Sequence, residues 1–401
     1  MRERPDRSDT LSRAGEVFIA FLKLGLTAFG GPIAHIGYFR EAFVVRRKWL
    51  SEPDFAELMS LCQFLPGPAS SQLGFGIGLM RAGWVGGLAA WCAFTLPSAI
   101  LMTCLALTAT ALHGAWLSGL IHGLKLVAVA VVAQAVFGMA RSLTPDLRRA
   151  GIAVISAIIA YFTGPPASQI FAIGAGAGLG VLLCRRHDPD APTTAAAFMS
   201  RRTGAVSLGL FCVCLVGGPV LGWATASPVI AFFNAFYRSG ALVFGGGHVV
   251  LPLLQQAVVG PGWIDQDTFL AGYGAAQALP GPLFTFAAYL GGAVSHPPGG
   301  IAGALLALVA IFLPGFLLLV AILPFWSQLR ANAHAQAAIR GASAAVVGIL
   351  ALALYSPIGA SAIRSVGDVI AASIGVLLLM SFRAPPVLVV ILGALFGLAM
   401  S

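Results

Sequence analysis

Long apolar runs recur along the chain with short polar breaks between them. They lie near residues 17 to 36, 55 to 80, 84 to 110, 115 to 139, 150 to 163, 167 to 184, 205 to 225, 228 to 251, 268 to 292, 299 to 323, 335 to 355, 363 to 381 and 385 to 400. Many reach the roughly 20 residues that a helix needs to cross a hydrocarbon core. The runs are rich in Ala, Leu and Gly and lack period-two alternation, which predicts helices and excludes a β-barrel. The pattern therefore predicts an all-α polytopic membrane protein of about thirteen apolar segments. Composition agrees, because only 9% of the 401 residues are charged, against about 25% in a soluble domain.

The formal net charge of +9 does not gather on one solvated face. It falls between apolar segments, as in Arg46, Arg47 and Lys48, then Arg141, Arg148 and Arg149, then Arg185, Arg186, Arg201 and Arg202. That distribution is a membrane-topology signal, so the expected partner is a lipid bilayer and not a nucleic acid. The six cysteines show no CxxC spacing, and neither disulfides nor a metal site are expected. The polar N-terminus is followed by a segment without a small-residue cleavage site, so that segment is expected to be retained.

An internal repeat organises the chain. FLKLGLTAFGG at 21 to 31 aligns without a gap on FYRSGALVFGG at 236 to 246, pairing Gly25, Phe29, Gly30 and Gly31 with Gly240, Phe244, Gly245 and Gly246. Trp49 and Phe55 then match Trp263 and Phe269, QFLPGP at 63 to 68 matches QALPGP at 277 to 282, and Pro97 matches Pro314. The expected units are residues 1 to 184 and 205 to 401, joined by a hydrophilic linker at 185 to 204. Repeats of this kind build secondary transporters, with a site near the bilayer midplane where the halves meet. An odd number of segments separates the first copy from its counterpart, which predicts inverted topology. The 37 to 54 stretch carries Arg40, Arg46, Arg47 and Lys48, whereas the equivalent 252 to 268 has no Lys or Arg, as expected of loops on opposite faces. A cytoplasmic N-terminus then puts the basic 37 to 54 loop outside, unless the first segment is a re-entrant hairpin broken at GGP. The sequence leaves both open.

The breaks carry the candidate chemistry. LPGP places two prolines around a glycine inside an apolar segment, which interrupts the helical ladder and frees backbone amides. It occurs at equivalent places, as Pro66, Gly67 and Pro68 and as Pro280, Gly281 and Pro282, each preceded by a glutamine, Gln63 or Gln277. Ser70, Ser71 and Gln72 add donors after the first copy, and Thr285 after the second. Helix N-termini exposed at such breaks favour anions. Gly30, Gly31 and Pro32, with Gly245, Gly246 and Gly247, form a second pair of breaks, each followed by a histidine, His35 or His248, suited to holding an anion or carrying a proton. Lys23 and Arg238 share a repeat position inside an apolar segment, where a cation costs about 2.5–3.5 kcal/mol and is a candidate for function. Lys125 is a third such cation, without a repeat partner. Acids are absent between Glu57 and Asp146, Asp190 and Asp265, and Asp267 and Asp368, which disfavours a cation site. Ser51 and Asp265 are expected helix caps. Gly74 with Gly78, and the run GAGAGLG at 174 to 180, are expected packing faces. No nucleotide loop, HExxH or GxSxG motif occurs.

The segments FLKLGLTAFGGPIAHIGYFR at 21 to 40, QFLPGPASSQLGFGIG at 63 to 78, FGGGHVVLPLL at 244 to 254 and QALPGPLFTFAAYLGG at 277 to 292 resemble the chromate ion transporter family in its long duplicated form. The resemblance implies an inner-membrane carrier that exports chromate using the proton motive force and confers chromate resistance, with sulfate as the competing tetrahedral dianion. On this expectation two inverted halves rock around an anion held at the LPGP breaks and balanced by Lys23 and Arg238, with protons at His35 or His248 and no cofactor. Transport of sulfate or another anion is the alternative. An intramembrane enzyme finds no acid pair or nucleophile here, and homodimer formation is left open.

Overall fold

The computed structural model describes residues 7–109, 115–164, 168–184 and 199–400, and these contain helices and no strand. Most of the expected linker, residues 185–198, lies outside the described residues. The first repeat contains α1 (Arg7–Thr27), α2 (Gly31–Arg40), α3 (Glu52–Phe64), α4 (Ala69–Ala109), α5 (Ala115–Leu143), α6 (Leu147–Thr163) and α7 (Ser168–Leu183). A rod follows, made of α8 (Arg201–Cys212) and α9 (Gly218–Thr225). The second repeat contains α10 (Pro228–Ala241), α11 (Val250–Val258), α12 (Gln266–Ala276), α13 (Phe286–Ala293), α14 (Gly300–Ile322), α15 (Trp326–Ala331), α16 (Ala333–Ala353), α17 (Ala360–Ala362), α18 (Val366–Met380) and α19 (Pro386–Ala399). Several helices are long and apolar enough to cross a membrane, among them Trp116–Leu143, Arg201–Thr225 and Ala333–Ala362. This is a multi-pass helical membrane protein.

Four of the apolar segments do not run straight across. At FGGP the chain reverses, so that Phe21 of α1 packs on Phe39 and, at 4.7 Å between ring centroids, on Phe43 beyond the break. At FGGG it reverses again, and Phe232 near the start of α10 stacks on Trp263, which follows α11. The LPGP breaks act alike: Gly76 of α4 lies against Leu58 of α3, and Tyr289 of α13 donates to the Thr268 carbonyl of α12. Each repeat thus opens with two broken hairpins whose arms pack back on each other. In the first segment the arms on either side of GGP fold back on each other, the packing that the re-entrant reading expects. The α4 helix then kinks at Ala82 and Gly83, and its second arm crosses the molecule.

The same packing details appear in both repeats. Gly25 of α1 sits on the Phe94 carbonyl of α4, and its counterpart Gly240 sits on the Ile311 carbonyl of α14. Gly78 meets Gly86, and Gly291 meets Gly303, across the turn after each LPGP hairpin. Lacking Cβ atoms, these glycines let helix backbones touch.

The halves exchange helices. Gly123 of α5 packs against Gly393 and Gly397 of α19, while its equivalent Gly341 of α16 packs against Gly176 and Gly180 of α7. The α5 and α16 helices therefore each serve the opposite repeat, and the core runs through both. The glycine run at 174 to 180 and the Gly74 to Gly78 pair are packing faces as expected, Gly74 lying on Phe21. Ser51 and Asp265 cap their helices, accepting from the Asp54 and Thr268 amides. All six cysteines are free.

Candidate functional site

The four breaks meet one another. Gly67 has φ +121° and Gly281 φ +95°, a region where only glycine sits without strain. The Gly67 amide donates to the Val243 carbonyl at 2.7 Å, and the Gly281 amide donates to the Ala28 carbonyl at 3.0 Å. Ala28 and Val243 are repeat equivalents, each ending the first arm of an FGG hairpin. Each LPGP loop is thus tied to the FGG hairpin of the other half. A Cβ on Gly67 would stand 3.0 Å from the Gly315 Cα, and one on Gly281 would stand 2.8 Å from the Ser98 Oγ. Gly315 and Ser98 both follow the shared proline of their helices, so this contact is reciprocal too. The FGG breaks also touch, Gly247 lying beside Pro32.

Polar side chains line this crossing. Gln72 is fully buried and its Nε2 donates to the carbonyls of Gly315 (2.9 Å) and Pro66 (3.1 Å). His35 is buried against Phe94, with one ring nitrogen 3.2 Å from the Ala28 carbonyl and the other 3.5 Å from the Ser70 hydroxyl. His248 bonds the Tyr273 hydroxyl at 2.7 Å. Thr285 donates to the Pro282 carbonyl. Ser71 Oγ, Thr95 Oγ1, Gln72 Oε1 and Gln277 Nε2 are buried without a hydrogen-bond partner. A buried polar group left this way costs about 1–3 kcal/mol, which makes the crossing the candidate site. The first-turn amides of α4, which starts at Ala69 beside Pro68, have no intrahelical acceptors.

The structure brings together Gly30, Gly31, Pro32, His35, Pro66, Gly67, Pro68, Ser70, Ser71 and Gln72 with Gly245, Gly246, Gly247, His248, Gln277, Pro280, Gly281 and Pro282, through the contacts above and their immediate neighbours in the four breaks. It does not bring Gln63 in, whose side chain is exposed. Lys23 is exposed on α1, and Arg238 lines a separate cavity that does not include Lys23. Sequence reasoning did not single out Thr95 and Ser98, both 1% exposed, although Pro97 between them already marked this turn as equivalent to Pro314. Among the described residues no three His, Cys, Asp or Glu side chains gather as a metal site.

The sequence profile described as Chromate transporter matches residues 15–181 and again 230–398. The chain belongs to the chromate transporter family. Its two matched regions cover the two repeats and omit the α8–α9 rod. The chromate transport protein of Pseudomonas aeruginosa is 29% identical over 351 residues, covering 84% of this chain and 79% of that protein. The chromate transport protein of Cupriavidus metallidurans is 26% identical over 395 residues, covering 96% and 92%. An uncharacterized transporter of Bacillus subtilis is 33% identical over 171 residues, which is 41% of this chain but 83% of that protein. No solved structure matches the chain. Membership of this family makes the protein a transporter and not an enzyme, and the crossing of four helix breaks lies in the segments that carry the family's motifs.

Proposed function

We propose that the protein exports chromate from the bacterial cytoplasm across the inner membrane, driven by the proton motive force, and so confers chromate resistance. The observation that supports this most is the reciprocal crossing of the two LPGP loops in a chain whose relatives are named chromate transport proteins. A tetrahedral dianion entering the crossing takes hydrogen bonds from first-turn amides and from Ser71, Thr95 and Gln277, replacing its water shell with fixed donors. His35 and His248, one beside each FGG break, are the proton-carrying candidates. Alternating access follows from rocking of one half against the other, because each LPGP loop leans on a hairpin of the opposite half. Neutral donors do this work in the crossing, and the charge pair of Lys23 and Arg238 is no part of it.

The same reading orients the protein. Between α1 and α10 the chain crosses with the second arm of α4, α5, α6, α7 and the α8–α9 rod, five crossings, so the repeats are inverted. Arg81 pairs with Glu16 of α1 and lies over Trp49, which supports placing the basic 40 to 48 loop on the face from which α1 enters. Arg141, Arg149 and Arg201 fall on that face as well, whereas the loops holding Asp265 and Asp267 fall on the other. By the excess of Lys and Arg, the first face is cytoplasmic. With the first segment re-entrant, the clustered Lys and Arg fall on one side, and Arg364, beside Asp267, is on the other. Sulfate is the second reading for substrate, having the same shape and charge.

Flux in proteoliposomes tests the proposal, comparing labelled chromate and sulfate with and without an imposed pH gradient. The expected result is saturable chromate flux that the gradient accelerates. Sulfate flux without chromate flux changes the substrate, and gradient-independent flux removes the proton coupling.

A further inference from the structure

Arg238 lines a cavity of about 580 Å³ walled by α7, α9, α10 and α11. Trp223, Gly260, Pro261 and Trp263 line it as well, and Gly260, Pro261 and Trp263 follow α11, at the end of the α10–α11 hairpin opposite the FGGG break. Helix α10 enters from that face at Pro228, and at about 1.5 Å per residue Arg238 sits about 15 Å below it. The guanidinium is the only charged group in the lining, and among the described residues it makes no ion pair. Asn234, one turn earlier on α10, also lines the cavity, and its carboxamide NH2 is the donor it can offer an anion. Leu242 and Leu253 close the inner end and flank the FGGG break.

The repeat equivalent of Arg238 has a different setting. Lys23 holds the equivalent position on α1 but lies on an open surface. The wall over Arg238 includes Pro219, Gly222 and Trp223 of α9, part of the rod that joins the repeats and has no counterpart described before α1. The junction helix has enclosed one copy of a repeated cation in a funnel and left the other outside it.

We infer that this funnel is a second anion site, at which a tetrahedral oxyanion is held by Arg238 and Asn234 on the non-cytoplasmic side of the FGGG break. A lipid phosphate stays at the interface, near the mouth, whereas the cation is near mid-depth, so the occupant is a small hydrated oxyanion. An unpaired cation in a low-dielectric funnel concentrates anions and strengthens their binding. This inference rests on the oxyanion-carrier reading above.

The test is chromate and sulfate flux in proteoliposomes in which the protein has one orientation, with half-saturation measured from each face. For Arg238→Gln, half-saturation from the non-cytoplasmic face rises about tenfold, the effect of one charge-assisted hydrogen bond, and rises at least several times less from the other face. Arg238→Lys restores most of the loss and Asn234→Leu reproduces part of it. Vesicles made with and without anionic lipid give the same shift, whereas a shift seen only with anionic lipid means a headgroup occupies the funnel and overturns the inference. Equal shifts from both faces, or none in a folded variant, also overturn it while wild-type flux leaves the carrier reading standing. Absence of wild-type flux with either oxyanion overturns the carrier reading itself, and the inference with it.

Discussion

Lys125 is 1% exposed, yet its Nζ donates at 2.6 Å to an Asp267 carboxylate that is half exposed. The pair ties α5 of the first repeat to α12 of the second, beside the contact of Gly274 with the Leu124 carbonyl. Arg364 lies 3.9 Å from the other carboxylate oxygen. The two partners should therefore answer differently to removal. Asp267→Asn leaves an ammonium inside the protein with no carboxylate. Breaking a fully buried pair in this way costs about 3–5 kcal/mol, and because water reaches Asp267 the expected loss is about 2 kcal/mol. Lys125→Met removes the charge together with its desolvation and keeps the volume of the stem, leaving a hydrated carboxylate beside Arg364, for an expected change under about 1 kcal/mol. The double variant should match Lys125→Met. Denaturant unfolding in detergent, followed by tryptophan emission, measures all four proteins. If Lys125→Met loses as much as Asp267→Asn, the argument from unequal exposure is wrong.

Gly67→Ala and Gly281→Ala each force a side chain into a positive-φ position against the opposite repeat, at about 1–3 kcal/mol, and should abolish flux in protein that still reaches the membrane. Gln72→Leu strips the Gly315 and Pro66 carbonyls of a donor, and its unfolding midpoint in detergent should fall by the equivalent of about 1–3 kcal/mol. Single cysteines at Lys48 and Arg201 should react with an impermeant thiol reagent from one face of the membrane and a cysteine at Gln266 from the other; reaction of all three from one face would refute the topology. In the loop before α6, the backbone amide and side chain of Arg149 hold the Asp146 carboxyl below its usual range. Its contribution to stability is complete above the unfolded value of about 3.9 and is lost as pH falls through the lower folded one. The stability gap between wild type and Asp146→Ala, measured over a pH series, should therefore close on the acid side.

The breaks were legible because proline and glycine interrupt a helix for local reasons, and their recurrence at aligned positions was visible by inspection. Whether a break kinks a span or turns the chain back was not legible, since apolar residues line both outcomes. The choice is made by partners distant in sequence, such as Phe21 with Phe43 and Phe232 with Trp263. Equivalence in sequence also misled at Lys23 and Arg238. They share a repeat position, but the junction helix α9 covers one and leaves the other bare. Of these three cations, Lys125, which has no repeat partner, is the one with a specific carboxylate partner among the described residues. The exchange of α5 and α16 left only a faint trace, the short likeness of Ile121-His122-Gly123 to Ile339-Arg340-Gly341, because a glycine face does not say which helix it will meet.

The hydrogen bond from Gly67 to Val243 also sets a clock. Its acceptor lies 176 residues further along the chain (243 − 67), and at about 5–20 residues per second it emerges roughly 9 to 35 s after the donor. Throughout that interval the first LPGP loop sits in the membrane with its amide unanswered, where such a group is expensive. The early half must therefore be sheltered, by water at the insertion site or by a chaperoning surface, until the later half arrives. A ribosome that stalls between the repeats strands an opened crossing, and quality control has a defined stretch of chain in which to recognise it.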